Sequence, residues 1–160
     1  MLYVVAWPVL AEADGTALHR LRALYHPAEA DLIGPHFTLV FGAADEKENG
    51  LRAALGGLRQ RPFWFMIDRI VRDGSYLFAE PSDGASELRT LHEQLNLEPG
   101  EISFRPHITL GVFDRPSEAE GVARIVERQH LPIRGRVEQL ALLRRSGNQL
   151  AILQVTELGT

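Results

Sequence analysis

No cysteine occurs in the 160 residues, which excludes disulfides, thiolate nucleophiles, Cys-ligated zinc and iron-sulfur clusters. Lysine is nearly missing too: Lys47 stands alone among 17 basic residues, the others being arginine. With 21 acidic residues the formal net charge is -4, so the chain lacks the positive field that holds long duplex nucleic acid by counterion release. No apolar run reaches membrane-spanning length; Met1 to Leu10 is broken by Pro8 and followed by Glu12 and Asp14. A Gly-rich phosphate loop is also absent, since Gly56-Gly57 has no Gly-Lys-Ser/Thr or GxGxxG around it. These absences point to a cytoplasmic protein that binds neither membrane nor long duplex.

What is present is a globular composition, 45% hydrophobic and 24% charged, in a length that suits one domain over residues 1–160. Period-2 apolar runs predict strands at about 2–8, 36–42, 62–71, 75–80, 104–113, 132–144 and 149–157. Helical spacing predicts helices at about 15–26, 46–59, 84–96 and 117–128, with Asp14, Asp45, Asp83 and Ser117 as N-caps or near-caps. Asp73-Gly74-Ser75 and Ser146-Gly147-Asn148 have hairpin chemistry, and Glu98-Pro99-Gly100 is a loop signal.

The chain also repeats itself. Tyr3-Val4-Val5-Ala6-Trp7-Pro8 aligns with Tyr76-Leu77-Phe78-Ala79-Glu80-Pro81 at an offset of 73, and Pro35-His36-Phe37-Thr38-Leu39 with Pro106-His107-Ile108-Thr109-Leu110 at 71. The strand around Pro62 aligns with that around Pro132 at 70. Three anchors in one order predict a duplicated strand-helix-strand-helix-strand unit, repeat 1 about 1–73 and repeat 2 about 74–157. The fold class expected is α+β: a bilobal unit with a pseudo-twofold axis, mainly antiparallel sheets lining a central cleft, and helices outside.

Each repeat carries one His-x-Thr. Side chains alternate along a strand, so His36 and Thr38 face the cleft while Phe37, Leu39 and Phe41 face the core; His107 and Thr109 do the same before Ile108, Leu110 and Val112, with Gly111 leaving room on the cleft side. Displacement at phosphorus needs a base for the attacking oxygen and an acid for the leaving one. Two imidazoles, titrating near neutrality, supply both roles. Two hydroxyls can hold the non-bridging oxygens, and no metal or cofactor is required. The other four histidines have no metal-ligand spacing, and His19, His26, His92 and His130 read as solvated or capping residues. Arg105, two residues before His107, could meet a phosphate, and Trp7, at the end of the first strand, could stack on a base. Tyr3, Tyr25, Tyr76 and Phe78 read as core, and Glu46-Lys47-Glu48 and Arg144-Arg145 as solvated charge.

At the two Pro-His-x-Thr-Leu segments and the opening aromatic-aliphatic strand, the sequence resembles the 2H phosphoesterase superfamily, and within it the bacterial RNA 2′,3′-cyclic phosphodiesterases also called 2′-5′ RNA ligases. The resemblance implies a bilobal α+β fold and metal-independent hydrolysis of a 2′,3′-cyclic phosphate on an RNA terminus or nucleotide. By analogy it makes His107 the base that activates water and His36 the acid. Members of the family often place a basic residue after the second motif, where this chain has Gly111-Val112-Phe113; RNA end and small cyclic nucleotide both stay open as substrates. The alternative is a non-catalytic module that holds a nucleotide or RNA end in the same cleft.

Overall fold

The computed structural model describes residues 1–98 and 103–159; Pro99 and Gly100 of the expected loop lie outside the described residues. Seven strands form one antiparallel sheet: β1 (Leu2–Leu10), β2 (Phe37–Ala43), β3 (Phe63–Asp73), β4 (Tyr76–Asp83), β5 (Ile108–Val112), β6 (Ile133–Ser146) and β7 (Gln149–Glu157), in the order β1-β2-β5-β4-β3-β6-β7 with a further β1–β6 pairing. Helices α1 (Glu12–Tyr25), α2 (Pro27–Ala30), α3 (Glu48–Gly56), α4 (Ala85–Leu95) and α5 (Pro116–Gln129) fill the connections, and a 3-10 turn, Asp45–Lys47, leads into α3. The strands of both repeats therefore share one hydrogen-bonded sheet rather than separate sheets. Four ladders join them: β1 to β6 along Leu2–Leu10, β2 to β5 through Phe37 and Ile108, the β3–β4 hairpin, and β3 to β6 along Phe63–Ile67.

The registers are compatible with the predicted duplication. Val5 faces Thr38 as Phe78 faces Thr109, and Ala6 faces Leu140 as Ala79 faces Ile70. Phe37 pairs with Ile108 and Phe65 with Gly135, which are the counterparts of one another at offsets of 71 and 70. Each of these two pairings would be its own image under a twofold exchange.

Alternation decides the core. Leu2, Val4 and Ala6 of β1, Phe37 and Leu39 of β2, and Leu77 and Ala79 of β4 are buried on one face, where Leu18 of α1, Leu51 and Leu55 of α3, Leu88, Leu91 and Leu95 of α4 and Val122 and Val126 of α5 cover them. Tight approach fixes two glycines there. A Cβ on Gly135 would stand 2.4 Å from the Phe65 ring, and Gly84, at φ +81, carries the turn into α4 with Phe65 Cβ 2.7 Å from where its own Cβ would lie.

The expected caps are not formed. α1 begins at Glu12, three residues early, after Ala11; α4 is entered from Gly84 and α5 from Arg115 with Pro116 at its first position, and none of these makes a side-chain cap bond. Asp45 instead binds the N-terminal ammonium at 3.0 Å. The one-turn α2 was too short for its periodicity to show. Arg144 and Arg145 are not free solvated charges: Arg144 pairs with Glu48, and Arg145 reaches Glu29 at 2.6 Å.

Candidate active site

His36 and His107 each stand one residue before a strand, since β2 begins at Phe37 and β5 at Ile108. The run expected as strand from 104 thus joins no ladder before Ile108. Both rings are held the same way. Nδ1 of His36 donates to the Gly34 carbonyl at 2.8 Å, and Nδ1 of His107 to the Arg105 carbonyl at 2.7 Å. A carbonyl can only accept, so each Nδ1 carries hydrogen and each Nε2 is left for proton transfer.

Thr38, Thr109, His107 and Arg105 line one cavity of about 960 Å³, together with Phe78, Tyr76, Phe41, His92, Phe104 and Lys47. His36 is not among its lining residues, yet it lies close enough for the charge of His107 to bear on it. The cavity thus extends to one side of the imidazole pair. Arg105 reaches it already engaged, with Nη2 on both oxygens of Glu80 at 3.1 and 2.7 Å. Trp7 does not line this cavity; half-buried, it packs against Val5, Ala141 and Leu143 beside Ile33.

The two repeats differ in electrostatics. Burial, with the charge of Arg22 adding to it, pushes the His36 pKa down to about 4 against the pull of the Gly34 carbonyl. His107 is lowered by burial as well, but its bond to the Arg105 carbonyl, Glu80 and Asp73 all favour its charged form. In the resting cleft burial disfavours the charged form of both rings, and at His107 the charges of Glu80 and Asp73 work against that effect.

Several residues of the site escaped the sequence reading. Arg22 is 1% exposed and ties the second motif to the segment just before the first: Nη1 donates to the Thr109 carbonyl and Nη2 to the Ile33 carbonyl, each at 2.8 Å. Its signal was a charge in register with Leu18 on the apolar face of α1. His92 is not a solvated residue; it donates to the Leu39 carbonyl at 2.7 Å and stacks on Phe104 at 4.0 Å. Phe78 and Tyr76 are not core residues either. Phe78 stacks on the His107 ring at 3.8 Å and Tyr76 stacks on Phe78 at 5.7 Å, because alternation on β4 sends Leu77 and Ala79 inward.

Bulges overturn three expected orientations. Between Leu77 and Phe78 the β4–β5 register slips, so Gly111 lies beside Leu77 on the helix side and Val112 turns outward, 39% exposed. Gly111 leaves room for α1 and not for the cleft: a Cβ there would stand 2.5 Å from that of Tyr25. A similar slip between β1 and β2, beside Gly42 at φ +68, turns Phe41 out of the core to 81% exposure, edge-on to Tyr3 at 5.2 Å.

An antiparallel α+β sheet with paired His-x-Thr segments at a shared cleft defines a two-histidine phosphoesterase architecture. The chain belongs to the 2′-5′ RNA ligase superfamily, whose model matches residues 8–149. Among solved structures it is similar to E. coli LigT complexed with 3′-AMP, at 20% identity and a TM-score of 0.67 over 99% of this chain and 98% of that one. E. coli LigT complexed with ATP gives 21% and 0.68 over 99% and 98%. Usb1 of Kluyveromyces marxianus gives 11% and 0.53 over 95% and 96%. At such identities the likeness concerns the fold. No curated protein sequence matches the chain.

Proposed function

We propose that this chain hydrolyses 2′,3′-cyclic phosphates on RNA ends or nucleotides. The observation that carries the reading is the matched pair of imidazoles, each fixed through Nδ1 to the carbonyl two residues before it, with both threonines at the shared cavity. Water attacks phosphorus and gives its proton to Nε2 of one histidine. The bond from phosphorus to one ribose oxygen breaks, and that oxygen takes a proton from Nε2 of the other. The hydroxyls of Thr38 and Thr109 donate to the non-bridging oxygens, where negative charge builds. Both proton transfers are covered by protein groups, so the step needs no metal. The electrostatics favour His36 as base and His107 as acid, and the anionic substrate itself raises the proton affinity of both rings. That LigT is complexed with 3′-AMP and with ATP supports a nucleotide in the same cleft. The same reading makes residues 1–160 one bilobal domain acting in the cytoplasm; among the described residues no helix is long and apolar enough to cross a membrane.

The test is turnover of a panel of 2′,3′-cyclic nucleotides and a short RNA ending in a cyclic phosphate, in EDTA, by the wild type, His36→Ala and His107→Ala. Hydrolysis should survive the chelator and fall at least about 100-fold in each variant. Binding of the panel without turnover by the wild type would refute hydrolysis and leave a binding module.

A further inference from the structure

Glu80 is the one buried carboxylate among the described residues, 4% exposed. A charge in such a place is unfavourable unless paired, and the first repeat puts Trp7 at the corresponding position, so filling the space does not call for an acid. The carboxylate is held by Arg105 Nη2 and lies 3.6 Å from Arg69. It follows Ala79, the partner of Ile108, and so stands at the level of His107. Arg105 in turn offers the carbonyl that receives Nδ1 of His107, and Phe78, on the same face of β4 as Glu80, stacks on the imidazole. The first repeat has no such arrangement, because Gly34, which plays the part of Arg105 there, has no side chain to anchor.

We infer that Glu80 is a positioning residue for His107: by holding Arg105 it fixes the carbonyl that sets the ring's orientation and tautomer, and it places a negative charge beside the imidazolium. The inference rests on the proposed role of His107. Three charged groups act on that ring, Glu80 from β4, Asp73 from β3 and Arg105 from the preceding segment; around them Arg69 of β3 faces Glu80, Arg22 of α1 holds the Thr109 carbonyl, and His36 of the first motif feels the charge of His107. Glu80 and Asp73 favour its charged form and Arg105 opposes it, so removing Glu80 and removing Arg105 act in opposite directions.

The experiment follows both imidazoles by NMR across pH in the intact protein, for wild type, Glu80→Gln and Arg105→Met, together with pH profiles of cyclic-phosphate hydrolysis. Glu80→Gln should move the His107 titration down by about half a pH unit or more and Arg105→Met should move it up, with His36 unmoved in both. In Glu80→Gln one limb of the rate profile should shift, and kcat should fall about tenfold with KM within about twofold. A His107 titration unchanged in both variants, or an unchanged kcat, would overturn the inference. Should Glu80→Gln fail to fold, Arg105→Met, at a half-exposed side chain, carries the test: it loses the same anchor, so kcat should fall about tenfold although the titration moves the other way, and an unchanged kcat would overturn the inference. If the wild type hydrolyses no cyclic phosphate, the functional reading falls, while the two titrations still settle whether Glu80 governs the ring.

Discussion

Replacing His36 by asparagine should flatten the dependence of stability on pH. In the folded chain His36 titrates at about 4, well below the ordinary 6.5, chiefly because burial disfavours its charge. The unfolded chain restores the ordinary value, so between these limits the unfolded state holds more protons, and stability must fall as pH falls. It is complete above about pH 6.5, declines below that, and the loss levels off below about pH 4. The gap corresponds to about 3 kcal/mol in all, of which about 2 kcal/mol has gone by pH 5. Urea unfolding at pH 8 and pH 5 measures it. Wild type should lose about 2 kcal/mol more than His36→Asn over that interval, or about 6 °C in melting temperature for a chain of this size. Comparing the two proteins cancels the titrating groups that do not interact with His36. Equal losses, within about 0.5 kcal/mol, would refute the claim that the resting cleft keeps His36 neutral by burial.

Three further outcomes follow from packing. Gly111→Ala forces its new methyl against the backbone-proximal Cβ of Tyr25, 2.5 Å away, and should destabilise by about 1 to 3 kcal/mol in urea unfolding; an unchanged midpoint would show that α1 slides freely over β5. Arg22→Met leaves the Thr109 and Ile33 carbonyls without their donor, at about 1 to 3 kcal/mol each. It should also lower kcat, because the second motif loses its tie to the segment leading into the first; a variant as active as wild type would show that the motif backbones hold themselves. Phe37→Ala should cost about 3 to 5 kcal/mol, whereas Phe41→Ser should change stability by less than about 0.5 kcal/mol; similar losses in the two would contradict the outward turn of Phe41.

The pair of His-x-Thr segments was legible because its signal is local. Two Pro-His-x-Thr-Leu segments at equal offsets place the same side chains at the same point of two strands, and alternation does the rest. Their environment was not legible, because it is made by residues distant in the chain. Arg22 looked like any charge in an amphipathic helix, and only the packing of α1 against β5 brings it to the Thr109 carbonyl. Glu80 looked like a strand terminus, and only its pairing with Arg105, 25 residues on, makes it part of the site. Trp7 was placed on the correct strand, but the aromatic ring that stacks on a motif histidine belongs to Phe78.

Legible along the chain were the order of the seven strands and the four longer helices, the two hairpins and the paired motifs. Periodicity, turn residues and repetition are properties of neighbouring positions, and no distant contact is needed to read them. Tertiary structure decided how alike the two halves of the site are. The two motif segments hold their imidazoles alike, but bulges re-aim Phe41 and Gly111, and burial differs around each ring. A buried cation stands near His36 and a buried carboxylate beside His107, and that difference in charge arises only where separate segments meet.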